Sequence, residues 1–153
     1  MKRQSQSIVV AAALAAAGGC SSYSDPSLSV AGASVRERTD EALVLSFDIS
    51  GINPNEVALP LRAVRYDVSL DGKPVFRGVR SAEATLRRKG EQRFTLPAVV
   101  RAADLPAASD ARFAITGSVE YLTPGELAEV LFDTGLRRPS ASFSGAGQVA
   151  LRR

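Results

Sequence analysis

Glu126, Glu129 and Asp133 fall within one short stretch of the chain, close enough in sequence for paired carboxylates to share general acid and base work. Gly145-Ala146-Gly147 has the look of a phosphate-cradling loop, in which glycines let backbone N–H groups approach an anion. Cys20 is the sole thiol. Histidine is absent from all 153 residues, which excludes Ser-His-Asp and Cys-His nucleophile arrangements and every histidine-based metal site. One cysteine makes no thiolate metal cluster. The glycine pair lacks a following lysine and a strand-to-helix setting, so it reads as small residues within a strand. The three carboxylates read as a solvated, charged loop. These residue types point to a chain that is not an enzyme and needs no cofactor.

Cys20 calls for different chemistry. Met1-Lys2-Arg3 is a short basic start, and Ile8 to Ala17 is an apolar run. Such a run is shorter than the roughly 20 residues that span a hydrocarbon core, and small residues follow it, as at a signal-peptide cleavage site. Ala17-Gly18-Gly19-Cys20 resembles a bacterial lipobox, in which a peptidase cuts before a cysteine whose sulfur has received a diacylglycerol; Ala17 stands where leucine is commoner. The expectation is a lipoprotein signal peptide over 1–19 and a lipidated Cys20, with palmitate-type acyl chains holding the protein to a membrane. An unpaired thiol is a liability in an oxidising envelope compartment, which also favours acylation. Each buried methylene adds about 0.8 kcal/mol, so more than one chain anchors stably. Ser21, rather than an aspartate, suits export to the periplasmic face of a Gram-negative outer membrane. Ser21 to Pro26 is polar and breaker-rich, and residues 20–27 read as the modified cysteine and a tether of roughly 20 Å when extended.

Apolar residues make up 45% of the chain, enough to bury one core. The formal net charge of +3 weakens once Lys2 and Arg3 leave with the signal peptide, since 17 basic then face 16 acidic side chains. The remaining basic residues alternate with apolar ones instead of forming a phosphate-binding stripe, so no nucleic acid is expected. The pairs Arg87-Arg88, Arg137-Arg138 and Arg152-Arg153 read as solvated turn charges that could also touch anionic headgroups.

The elements that must position these residues are strands. Leu43, Leu45, Phe47 and Ile49 alternate with polar residues, and so do Val64, Tyr66, Val68 and Leu70, the period of a half-buried strand. Asn53-Pro54-Asn55 makes the corner between them, where asparagine side chains bond nearby backbone and tolerate left-handed φ while proline fixes its own. Asp71-Gly72 supplies a two-residue hairpin. Weaker strands are expected over Ser27 to Arg38, with a slip of register near Gly32, and over Ser81 to Arg88. Arg93 to Val100 is a strand whose Pro97 places it at an edge or a bulge. Arg101 to Asp110 supports at most a helical turn. Arg112 to Leu122 and the run from Phe143 to Leu151 are strands, and Thr123 to Pro139 suits a helical turn or a strand equally. About seven strands with no long helix predict an all-β, antiparallel β-sandwich, immunoglobulin-like or fibronectin III-like, over 28–153.

Phe47, Asn53-Pro54-Asn55, Leu59, Leu61, Val64, Tyr66, Val68, Gly72 and Gly78, followed by Phe94 to Pro97, Val119-Glu120-Tyr121 and Gly147-Gln148-Val149, resemble the type 2 late embryogenesis abundant proteins, also called WHy (water stress and hypersensitive response) domains. The resemblance implies a sandwich without catalytic residues, associated with desiccation, cold or other water deficit, and bacterial members exported as lipoproteins. It makes Asn53, Pro54, Asn55, Tyr66, Gly72 and Gly78 structural motif residues. The partners expected are the membrane, through Cys20, and protein clients in the periplasm. An envelope assembly or transport accessory that binds one specific protein is the alternative.

Overall fold

The computed structural model describes residues 23–151, so the signal-peptide and lipidation readings of 1–19 and Cys20 lie outside the described residues. Eight strands follow one another as β1 (Ser27–Arg38), β2 (Ala42–Asn53), β3 (Leu59–Leu70), β4 (Lys73–Ser81), β5 (Thr85–Leu86), β6 (Gly90–Arg101), β7 (Asp110–Tyr121) and β8 (Ser140–Ala150), with the helix α1 (Glu126–Asp133) between the last two. One sheet has the order β1-β2-β6; the other has the order β4-β3-β7-β8, with β5 paired to β3. Every pairing is antiparallel.

The alternating residues do what their period requires. Leu43, Leu45, Phe47 and Ile49 of β2 are fully buried, and Val64, Tyr66, Val68 and Leu70 of β3 nearly so. They face each other across the sandwich, and each such side chain gains about 1.5–3 kcal/mol by leaving water. Phe47 meets Phe113 of β7 edge-on, with ring centroids 5.4 Å apart, so the two sheets interlock at the centre.

Tyr66 closes one side. Its ring packs against Phe76 with centroids 5.1 Å apart, and its hydroxyl donates to the Pro97 carbonyl on β6. Gly78, opposite Tyr66 in the β3–β4 ladder, leaves the space over its Cα for the Phe76 ring. Pro97 lies on a strand at the sheet edge, as a residue without an N–H requires. The other side closes where β1 packs on β8.

The slip near Gly32 is present as a register shift between Val30 and Gly32, and a second shift follows between Val35 and Glu37. Asp71 (φ 48°) and Gly72 (φ 82°) make the β3–β4 turn, both left-handed. Three features sharpen the expectation. Over Ser81 to Arg88 only Ser81, the end of β4, and Thr85–Leu86 pair in strands, because Glu83 takes φ 49° and breaks the extended run. Among the described residues the strands number eight, where about seven are expected. Within Thr123 to Pro139 the helical alternative is the one taken, over Glu126–Asp133, with Phe132 buried and Ala128 and Leu131 half-buried while Val130 points out. Finally, neither asparagine of the corner uses left-handed backbone; beyond Asp71 the non-glycine residues with positive φ are Glu83 and Lys89.

Candidate functional site

The carboxylates singled out by spacing do not form a site. Glu126, Glu129 and Asp133 sit exposed on the outer side of α1, and no group of metal-ligating side chains occurs among the described residues. Gly145 and Gly147 lie within β8, as small residues of a strand.

Strand direction gathers other residues at one end. Ser27 pairs with Ile52, Asn53 with Gly90, Leu59 with Leu86, Leu61 with Tyr121, and Glu120 with Ser140. The chain therefore enters at the same end as the Asn53–Leu59 corner, the Lys89 turn and α1. The opposite end carries the Asp71-Gly72 turn and the 3-10 turn Ala102–Asp104.

At the entry end Asn53 is fully buried and its amide is saturated. Its Nδ2 donates to the carbonyls of Val57 (2.7 Å) and Leu86 (3.5 Å), and its Oδ1 accepts from the backbone N–H (3.0 Å) and the Nδ2 (2.9 Å) of Asn55. Asn55 then reaches outward. Its Nδ2 donates to the Ser24 carbonyl at 2.7 Å, and its Oδ1 accepts from the Ser24 N–H at 3.0 Å. A side-chain amide thus copies one rung of a β-ladder and holds a residue 31 positions away. The Asn55 carbonyl accepts from the Lys89 N–H at 2.9 Å, joining the β5–β6 turn to the corner. Pro54, exposed between the two asparagines, holds the corner without entering the network.

Two tyrosines complete the docking of the entry segment. Tyr23 stacks on Tyr121 with centroids 6.5 Å apart, and the Tyr121 hydroxyl donates to Asp25 at 2.5 Å. The Tyr23 hydroxyl is buried without a partner among the described residues. From Tyr23 onward, the stretch read as a free tether is bound to the domain. Composition gave no sign of this: polar Ser-Ser-Tyr-Ser-Asp-Pro is held by groups distant in sequence. The signal, visible only in hindsight, is a pair of asparagines spaced to bond each other and a third strand of chain.

All three tyrosines of the chain are pushed above their ordinary value near 10.0. Burial is the main cause in each; for Tyr121 the hydrogen bond to Asp25 and then its charge add to it, and for Tyr23 the charge of Asp25 adds. A raised phenol contributes stability that is complete below pH 10 and is lost as pH rises above it, because the unfolded chain then ionises and the folded one does not. Phenolate absorbance on alkaline titration is therefore expected to appear late and cooperatively, together with loss of far-ultraviolet strand signal. Three independent titrations near pH 10 in a folded protein would contradict it.

Between the entry segment and α1 lies an open cleft of about 610 Å³, with Tyr23, Asn55 and Val57 on one side and Pro124, Leu127, Leu131 and Arg137 on the other. The geometry defines an all-β sandwich whose corner asparagines serve its own backbone.

A protein of Arabidopsis thaliana solved in solution is similar over 81% of this chain and 80% of its own, with 14% identity and a TM-score of 0.63. A second solution structure, described as a late embryogenesis abundant protein, covers 83% of this chain and 71% of its own at 15% identity and a TM-score of 0.64. A protein from Archaeoglobus fulgidus shares the fold at 10% identity over 83% of this chain and 97% of its own, with a TM-score of 0.55. No curated protein matches the sequence. Residues 49–138 match the family model of the late embryogenesis abundant proteins (LEA_2), and the chain belongs to that family.

Proposed function

We propose that this protein is a membrane-anchored, non-enzymatic envelope lipoprotein of the WHy type, which protects the cell during desiccation, cold or other water deficit. Family membership over residues 49–138 is the observation that carries this reading. The fold supports it: the amide of fully buried Asn53 is spent on the sandwich's own corner, buried Glu120 is paired to Arg65, and the carboxylates on α1 stand apart in solvent. Acylated Cys20 holds the domain on the periplasmic face of the outer membrane. There a rigid sandwich shields apolar surfaces of proteins or lipids as water is withdrawn, with periplasmic proteins as its clients.

A deletion strain is expected to lose viability on drying or freezing relative to its parent, to regain it with the native gene, and to regain little with Cys20→Ser, whose product lacks lipid label. Equal survival of parent and deletion strain would overturn the protective reading.

A further inference from the structure

Seven large apolar side chains are exposed among the described residues, and five of them, Ile52, Val57, Leu127, Val130 and Leu136, lie at the entry end. The most exposed are Leu136 at 78% and Leu127 at 72%. On α1 only Phe132 is buried, with Ala128 and Leu131 half-buried along the cleft, so Leu127 and Val130 leave an exposed apolar strip on the same short helix. A solvated helix has no use for it.

The place of this patch is fixed by the chain itself. Ser24 is bound to Asn55 and Tyr23 to Tyr121 at this end, and Cys20 precedes Tyr23 by three residues. Three residues reach at most about 11 Å. A lipid on Cys20 would therefore hold this end, and no other, within one helix diameter of a bilayer.

We propose that the entry end is a membrane-docking face on which Leu127, Val130 and Leu136 enter the boundary between lipid headgroups and acyl chains. The inference rests on the reading of Cys20 as lipidated. The charges around the patch decide its mode. Arg87, Arg88, Arg137 and Arg138 are offset by Asp25, Glu126, Glu129 and Asp133, all exposed, while Lys89 is paired to Glu56 at 3.3 Å. Little net attraction to anionic lipid remains, so the docking is apolar and insensitive to salt, unlike the binding of polybasic segments.

The chain contains no tryptophan, which makes single probes unambiguous. The full-length protein is purified from membranes, Cys20 acylation is checked by mass, and the protein is reconstituted into vesicles of phosphatidylethanolamine and phosphatidylglycerol. Leu127→Trp and Leu136→Trp report on the patch; Val79→Trp and Val99→Trp, exposed on β4 and β6, are the controls. These surface positions bear no core contacts, so all four variants are expected to fold. The expected result is a blue shift for the two patch probes and several-fold stronger quenching by lipids brominated in the acyl chain than for the controls, unchanged in high salt. An acylated protein whose four probes remain equally open to aqueous iodide would overturn docking and leave the anchor standing. Patch probes shielded from iodide but not quenched by brominated lipid would assign the face to a contact with a second copy of this chain and also overturn it. Quenching that high salt abolishes would overturn the apolar mode. A chain with no acyl group on Cys20 would overturn the anchor, and the docking with it.

Discussion

Asn53→Leu is expected to lower the stability of the domain by about 3 kcal/mol, read as a fall in Tm of about 10 °C. The leucine matches the burial of the site but not its bonding. Four hydrogen bonds vanish together, and the carbonyls of Val57 and Leu86 and the N–H of Asn55 lose their partner within a part-buried corner. Buried backbone groups left unpaired cost about 1–3 kcal/mol each, and relaxation toward water recovers some of that. Asn53→Asp separates the two halves of the amide. It keeps the acceptor for Asn55, loses both donors, and places a charge where the residue has no exposure, so it should be no better than leucine at neutral pH. Asn55→Ala should cost only about 1 kcal/mol, since Asn53 Oδ1 keeps the Asn55 backbone N–H and the Ser24 groups are exposed, yet it frees Ser24. Thermal and urea unfolding followed by circular dichroism would check the series. A Tm for Asn53→Leu close to that of the parent would show that the network contributes little.

Gly117→Val is expected to be the other severe lesion, costing about 3 kcal/mol or preventing folding. Gly117 lies in the middle of β7, opposite Tyr66 on β3 and Phe143 on β8. A Cβ there would stand 2.6 Å from the Arg65 carbonyl oxygen and 2.5 Å from the Phe143 ring. The ring can swing aside. The carbonyl belongs to the β3–β7 ladder and cannot yield without opening it. Even Gly117→Ala should therefore be destabilising, and Phe143→Leu in the same chain should not restore it. Recovery in that double variant would place the conflict in the side chain instead of the backbone.

Much of the fold is legible in the sequence because one face of each long strand is buried. In β2 and β3 that constraint writes a strict alternation, and Asp71-Gly72 fixes the hairpin locally. Even the slip near Gly32 shows, because the apolar residues of β1 fall out of step. Helix α1 does not show: at eight residues its strip of inward side chains fits a strand as well, and packing decides. Likewise β5 has only two paired residues, too few for a period. The candidate site is half legible. Asn53-Pro54-Asn55 stands out as a structural corner, but its outer hand grips Ser24, and that contact has no local signature. Ser21 to Pro26 has the composition of a linker; the docking of its latter part is a tertiary fact.

Pro97 bears on a danger particular to drying. As water leaves, every protein in the compartment is concentrated, and an open strand edge becomes a template for fibrils. Here β6 is such an edge, yet at Pro97 it offers no N–H, and the carbonyl is already taken by the Tyr66 hydroxyl. The edge strand β4 of the other sheet carries Pro74 beside a bulge opposite Val68 and Ser69. An incoming strand would meet a broken row of donors on both. The same residues that tie the sandwich together thus also interrupt the edges through which crowded copies would polymerise.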